Sequence, residues 1–332
     1  MMTQQADDLE RKTVAILKVL NDSPSPLGGR VLARRLGELG IDLGERAVRY
    51  HLRHMDERGL TRQVGRKDGR LITELGIEEL NNALITDRIG QVAARIEALA
   101  YQSSFNPGHN DGMVPINLSL FSKDDASRAM KSIKRAYRAG LGVSGMAYIA
   151  SEGERLGEVS IPPGKIGLAT MSHIVFCSAL LRAGIPVDLK FGGLVQVRDG
   201  EPLRFIELVE YTGCSMDPAE VFIVGRMTSV VSTAREGNGK ILGSFCEIPA
   251  IARANAEAVI SELEEAGVRG VVLFGKVGES ICGLPVATNK VGLVLTDGMN
   301  PVAAAVEMGI EAVNYPMRGV IDFKDMEHYS NW

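Results

Sequence analysis

Gly164-Lys165-Ile166-Gly167-Leu168 returns 125 residues later as Asn289-Lys290-Val291-Gly292-Leu293. Outward from that pair, Arg182-Ala183-Gly184-Ile185 returns as Glu307-Met308-Gly309-Ile310 at the same offset. Upstream, Ala139-Gly140-Leu141 matches Ala266-Gly267-Val268 and Leu156-Gly157 matches Cys282-Gly283; downstream, Gly193-Leu194-Val195 matches Gly319-Val320-Ile321. Matches that keep one order at offsets of 125 to 127 mean that one supersecondary unit is used twice. Short apolar runs between turn residues read as strands, and longer stretches with apolar residues three and four apart read as helices. Each copy then runs strand, helix, strand, strand, helix, strand. In the first these fall at 115–121, 124–139, 142–150, 165–170, 172–183 and 186–197; in the second at 241–247, 250–266, 270–275, 290–295, 301–308 and 311–323. That is the βαββαβ order of a ferredoxin-like unit. The half-repeats, about 113–197 and 241–323, are joined by a hairpin around Asp199-Gly200 and the turn Gly213-Cys214-Ser215-Met216-Asp217-Pro218.

Two copies of one unit pack with approximate twofold symmetry, and the crevice between them is the default ligand site. Equivalent turns line it: Thr170-Met171-Ser172-His173 and Thr296-Asp297-Gly298-Met299-Asn300-Pro301. Each precedes a helix, so each can aim free backbone N–H groups at a small anion. Thr170, Ser172, His173, Thr296, Asp297 and Asn300 are therefore candidate effector-binding residues, with ordinary helix capping as the competing use of their hydroxyls and amides. A carboxylate ligand also needs a fixed cation, for which Lys190, Arg226 and Arg318 are available.

Residues 87–102 read as a helix capped by Thr86, with Ile89, Val92, Ala93, Ile96, Leu99 and Ala100 on one stripe. That stripe must be covered, either by the helix's own chain or by a second one. Ser103 to Gly112 is rich in turn-formers and marks a boundary, giving 1–82, a connecting 83–112 and a body over 113–332.

In the first of these, LGERAVRYHLRHMDERGL (Leu43 to Leu60) reads as a helix closed by Gly59. Rotation of 100° per residue puts Arg46, Arg49, Tyr50, Arg53 and Glu57 on one side and Val48, Leu52 and Met55 on the other. Two shorter helices precede it, over 8–21 and 28–39. Two short strands, 60–64 and 70–72, follow around the tip Gly65-Arg66-Lys67-Asp68-Gly69. Three helices and a two-stranded ribbon with a basic tip make a winged helix-turn-helix. Arg46, Arg49, Tyr50 and Arg53 suit the major groove of double-stranded DNA, and Arg66, Lys67 and Arg70 suit phosphate or the minor groove. Winged helices also bind proteins, but such a face would show more apolar area.

Composition sets the outer bounds. The chain has 332 residues, 45% of them hydrophobic and 23% charged, enough for two or three domains. No apolar run approaches the roughly 18 residues of a membrane span, and the first residues have no apolar export core. Four widely spaced cysteines without a CxxC pair fit free thiols in the cytoplasm, not a disulfide or zinc framework. Residues 1–72 carry a net charge of +4 and the remainder −8, which fits a nucleic-acid module on a body that has no such partner. No close Ser/His/Asp or Cys/His set, Walker loop or metal-spaced cluster occurs, so the chain is read as a regulator without cofactor or metal. The alternative is an enzyme acting on a small carboxylic acid, with Cys214 beside Ser215 and the Asp297-Gly298 turn as its only signals.

Two resemblances add to this reading. Leu32-Ala33-x-x-Leu36, Arg46 to Leu52, Asp56-Glu57-x-Gly59-Leu60-Thr61 and Thr73-Glu74-Leu75-Gly76 resemble the winged-helix domain at the front of ribonuclease R. The body resembles the regulatory domain of the NrpR family of nitrogen-responsive repressors. The residues that carry this are Gly164 to Thr170, Ala183-Gly184-Ile185-Pro186-Val187, Phe191-Gly192-Gly193-Leu194, Tyr211-x-Gly213-x-Ser215-Met216-Asp217-Pro218-x-Glu220-x-Phe222, Met227-Thr228-Ser229-Val230, Gly237-x-Gly239-Lys240-Ile241 and Asn300-Pro301-Val302-Ala303-Ala304. The resemblance implies a homodimeric repressor of palindromic operators in nitrogen-assimilation genes, released from DNA by 2-oxoglutarate.

Overall fold

Three apolar helix edges make the core of the first unit, Met1–Arg88; the second unit is Ile89–Trp332. The computed structural model describes residues 2–23, 25–38, 40–65, 69–82, 90–157 and 159–332. Ile16, Leu17 and Leu20 of α1 (Met2–Asn21) are buried with Leu32 and Leu36 of α2 (Gly29–Glu38) and Val48, Leu52 and Met55 of α3 (Glu45–Glu57). Each such burial is worth about 1.5–3 kcal/mol, so packing holds α3, whose N-terminus at Gly44 has no side-chain cap. At the other end Gly59 (φ +73°) turns the chain, and Leu60 N–H donates to the Met55 carbonyl at 2.9 Å.

The wing consists of β1 (Thr61–Gln63) antiparallel to β2 (Arg70–Ile72), with Thr61 opposite Ile72. Leu27 adds a third rung, exchanging two 3.0 Å backbone hydrogen bonds with Arg70. A Cβ on Gly69, at φ +98°, would lie 2.5 Å from the Leu27 carbonyl carbon, so only glycine permits this approach. A helix that the sequence reading did not anticipate, α4 (Glu74–Asn82), follows. Its start is fixed by the Thr73 hydroxyl, which accepts from Gly76 N–H at 3.0 Å and donates to the Gly59 carbonyl.

In the second unit α5 (Gln91–Gln102) buries Val92, Ile96, Leu99 and Ala100 with Ile174, Cys177, Tyr211 and Met317. The stripe is thus covered by its own body; Thr86 and Ile89 lie outside the described residues. The next elements in order are β3 (Met113–Ser122), α6 (Ala126–Arg138), β4 (Met146–Ala150), the small hairpin β5 (Arg155–Leu156) and β6 (Val159–Ser160), β7 (Lys165–Met171), α7 (Ile174–Arg182), β8 (Asp188–Arg198) and β9 (Glu201–Glu210). Then come α8 (Pro218–Val224), α9 (Val230–Glu236), β10 (Gly239–Pro249), α10 (Arg253–Glu265), β11 (Val271–Val277), β12 (Lys290–Thr296), α11 (Asn300–Glu307), β13 (Ala312–Asp322) and β14 (Glu327–His328).

The half-repeats 113–197 and 241–323 are not separate units. The strand orders are β13-β3-β7-β4-β14 in one sheet and β11-β12-β10-β8-β9 in the other, all antiparallel. A self-contained unit would pair its first strand with its own last. Here β3 pairs with β13 and β10 with β8, so each half's last strand completes the other half's sheet. Ser119 faces Asn314 across the first exchange, its buried hydroxyl donating to Asn314 Oδ1 at 2.8 Å. The helices follow suit: α6 packs on α11 and α10 on α7, so each helix layer also mixes the halves. One hydrophobic cluster joins α6, α8, α9 and α11 to strands of both sheets, and another does so for α7 and α10. Among the described residues no helix is long and apolar enough to cross a membrane.

Candidate functional site

The outer face of α3 carries the first candidate site. Arg46, Arg49, Tyr50 and Arg53 are all exposed, Tyr50 by 64%, while Val48, Leu52 and Met55 anchor the opposite edge. Arg49 is held by Glu45 one turn back at 2.6 Å, and Glu45 also lies 3.4 Å from Arg30 of α2. Arg30 is thereby added to the basic face; the reading of the sequence missed it because it sits on a different helix. Arg70 departs from expectation. Its guanidinium is 2.7 Å from Asp56, which also accepts from the Thr61 hydroxyl at 2.5 Å, and both partners of the ion pair are largely covered. Arg70 therefore ties the wing to α3 instead of facing outward. Arg66 and Lys67 lie outside the described residues.

The second candidate site is where the two equivalent turns of the body meet. Asn117 and Thr170 face each other across β3 and β7, and Gly243 and Thr296 across β10 and β12. The turns touch at Gly298, where a Cβ would fall 1.9 Å from the Met171 carbonyl oxygen and 2.9 Å from Asn117 Nδ2. Across this contact His173 Nδ1 is 3.3 Å from Asp297 Oδ2, with both side chains buried. On its other side His173 Nε2 is 3.2 Å from Ser244 Oγ, which is 2.9 Å from Tyr211 Oη. Asn300, fully buried, clamps the junction to β10: its Oδ1 accepts from Leu242 N–H at 2.7 Å and its Nδ2 donates to the Leu242 carbonyl at 2.9 Å.

Charge at this junction is unusual for an interior. Asp217, 6% exposed, caps α8 by accepting from Ala219 N–H at 2.9 Å. Burial, then the nearby Asp297 carboxylate, pushes its carboxyl up to about 7, against His173 and the backbone donors of Ala219 and Glu220. The Tyr211 phenol is raised well above its ordinary range by burial and then by the same two carboxylates. The N-termini of α7 and α11 already have internal acceptors: Ser172 Oγ takes Ile174 N–H at 3.4 Å, and Asp297 Oδ1 takes Met299 N–H at 2.8 Å. Two buried polar atoms here, Asn117 Nδ2 and Thr170 Oγ1, have no hydrogen-bond partner among the described residues, and His173 Nδ1 has only the Asp297 carboxylate at 3.3 Å, without hydrogen-bond geometry. Interiors rarely leave such atoms unmatched. Thr296 also lines a cavity of about 400 Å³ with Glu264 and Arg269, which brings one edge of the junction to the outside.

Thr170, Ser172, His173, Thr296, Asp297 and Asn300 therefore meet at one place, and Asn117, Tyr211, Asp217 and Ser244 join them. The cations are elsewhere. Lys190 lies 2.8 Å from the buried Glu247, and that hydrogen bond keeps its ammonium pKa above the usual value. Arg226, at φ +51° after α8, is exposed and lines a separate cavity of about 300 Å³ with Lys165 and Asn314. Arg318 lies over the Tyr315 ring at 5.7 Å. Among the described residues no group of His, Cys, Asp and Glu could hold a metal ion.

Comparison with known proteins places these features. The family model for NrpR regulatory domains 1 and 2 matches residues 89–328, and that for the ribonuclease R winged-helix domain matches residues 14–80. The global nitrogen regulator NrpRI of Methanosarcina mazei is 40% identical over 319 residues, 96% of this chain and 98% of that one. Global nitrogen regulators NrpR of Methanococcus maripaludis and Methanocaldococcus jannaschii are each 31% identical over 95% and 96% of this chain, which spans 54% and 55% of their length. A solved nitrogen repressor-like protein from Methanococcus jannaschii shares the fold, with a TM-score of 0.62 at 24% identity over 73% of this chain and 99% of that one. With a regulatory-domain match along its whole body and a relative alike from end to end, the chain belongs to the NrpR family.

Proposed function

We propose that this chain is a DNA-binding transcriptional regulator of nitrogen-assimilation genes, acting in the cytoplasm as a homodimer on palindromic operators. The observation that carries the reading is the exposed Arg46, Arg49, Tyr50 and Arg53 stripe on a firmly buried α3, in a chain whose relatives are named nitrogen regulators. Guanidinium groups on a helix of that width suit bidentate contacts in the major groove. Arg66 and Lys67 would add phosphate contacts from the wing, whereas Arg70 would act by fixing the wing's position.

The effector is proposed to be 2-oxoglutarate, and the responsive centre the junction of Thr170, Ser172, His173, Thr296, Asp297 and Asn300. The unmatched atoms of Asn117 and Thr170 support this, since a keto or carboxylate oxygen would give them partners. Lys190 and Arg226 are proposed to act as more distant cations. A shift of one turn against the other would be passed to both exchanged sheets, and so to the spacing of two DNA-binding heads, which must match half-sites ~34 Å apart or a multiple of that. We read the body as a duplicated ferredoxin-like unit with exchanged last strands, supported by the equivalent strand orders of its two sheets.

Calorimetry of the full chain with 2-oxoglutarate, with glutamate and citrate as controls, tests the effector, and the same ligands in an operator-binding titration test the coupling. Heat with 2-oxoglutarate alone, together with weaker DNA binding, is expected. No heat would remove the nitrogen-sensing assignment, and no salt-dependent DNA binding would remove the regulator itself.

A further inference from the structure

Glu45 opens α3 and is the acidic residue of its first turn, where the positive end of the helix dipole favours a carboxylate. Its two oxygens are nonetheless divided between guanidiniums. Oε1 lies 2.6 Å from Arg49 Nη2, and Oε2 lies 3.4 Å from Arg30 Nε. One carboxylate thus joins a cation of α2 to a cation of α3 on the outer side of both helices. Arg46 and Arg53 of the same stripe form no ion pair among the described residues.

Gly29, the first residue of α2, is the floor of this arrangement. A Cβ there would fall 3.1 Å from Arg49 Cγ, 3.5 Å from Arg49 Nε and 3.8 Å from Glu45 Cγ. The Arg49 stem therefore lies on the bare backbone of α2, with its guanidinium turned to Glu45. The carboxylate is two-thirds covered, while the side chains of Arg49 and Arg30 remain 69% and 89% exposed. Both cations can be reached from outside, and both are tethered.

Exposed ion pairs of this kind add little to stability. An acid on a face that meets phosphate also weakens binding to every sequence alike. A residue that breaks a local preference in this way needs a gain elsewhere, and base reading supplies one. Residues at the N-terminal end of a recognition helix contact base edges. There a carboxylate accepts from the cytosine N4 amino group, and arginine donates to guanine O6 and N7.

We propose that Glu45 determines the sequence specificity of the head. It keeps Arg49 and Arg30 from the phosphates that any DNA offers. At the right site Arg49 turns to a guanine, and the oxygen it leaves accepts from a cytosine amino group. This rests on the DNA-binding reading of the head and adds what selects the site.

Selection by the full chain from double-stranded DNA with a random central segment tests it. Fluorescence anisotropy then compares the selected sequence with the unselected pool at several salt concentrations. Glu45→Gln should bind the unselected pool about tenfold more tightly, and its salt slope should steepen by about two as two guanidiniums become free for phosphate. The selected sequence should gain nothing, so the specificity ratio should fall at least about tenfold. The variant's own selection should lose a G·C pair that the wild type retains. Its melting temperature should stay near that of the wild type, and Glu45→Ala should repeat the result, which separates loss of selectivity from loss of folding. An unchanged ratio with an unchanged salt slope, or the same selected sequence for both proteins, would overturn the role of Glu45 and leave the DNA-binding reading standing. A wild type that enriches no sequence would overturn both.

Discussion

Replacing Asp217 by asparagine isolates the most strained charge in the body. The amide keeps the cap, because its oxygen can still accept from Ala219 N–H, and removes only the ionisation. In the folded chain the carboxyl titrates near 7, whereas its ordinary value is 3.8, so folding favours its protonated form. A raised carboxyl pKa contributes stability that is present in full below the unfolded value and is lost as pH rises through the folded one. At 1.36 kcal/mol for each unit, about three units amount to about 4 kcal/mol lost between pH ~4 and pH ~8. The groups around it, Asp297, His173, Tyr211 and Cys214, stay the same in the variant. Urea unfolding of both proteins at several pH values should give nearly equal stabilities at the acid end. Towards pH ~8 the Asp217→Asn protein should become increasingly the more stable of the two, by up to about 4 kcal/mol. A gap that does not change with pH would refute the reasoning, since it would mean that Asp217 ionises as easily inside the fold as outside it.

Gly298→Ala should cost about 3 kcal/mol or more, because its Cβ would drive the two turns apart at the Met171 carbonyl; the same urea assay reads it. Glu307→Ala removes the acceptor for the Thr228 hydroxyl and the Val230 and Val231 N–H groups, and about 2–4 kcal/mol of thermal or chemical stability should go with it. On DNA, Arg53→Ala should weaken operator binding by about 1–3 kcal/mol in a gel-shift titration with little change in melting temperature. Arg70→Ala should show the reverse emphasis, lowering the stability of the head by about 1 kcal/mol as Asp56 loses its partner.

The head was legible because its signals are local: the Arg46 to Arg53 stripe, the buried edge beneath it and Gly59 all fall within a few turns of one helix. The pairing of Arg70 with Asp56 is not legible, because a basic residue on a wing strand looks the same in sequence whether it points to solvent or back to α3. In the body, helices and strands followed from periodicity, but the exchange of last strands could not. β8 and β13 carry the same pattern, so pairing either with β3 satisfies the same alternation. The helices α8 and α9 are seven residues each and owe their starts to partners that periodicity does not see, Asp217 for one and Glu307, 77 residues away, for the other. The junction turns were located by the repeat. Asn117 and Ser244 are not legible, because a buried polar residue in a strand looks the same in sequence as one that faces solvent.

The exchanged strands also bear on how the chain is made. β3 is among the first parts of the body to leave the ribosome, and the strand that covers its open edge, β13, is among the last. Until residues 312–322 emerge, β3 has an apolar edge with nothing beside it, a state prone to pairing with other chains. Halves produced separately as 113–198 and 239–323 should each remain unable to fold and should become ordered when they are synthesised together.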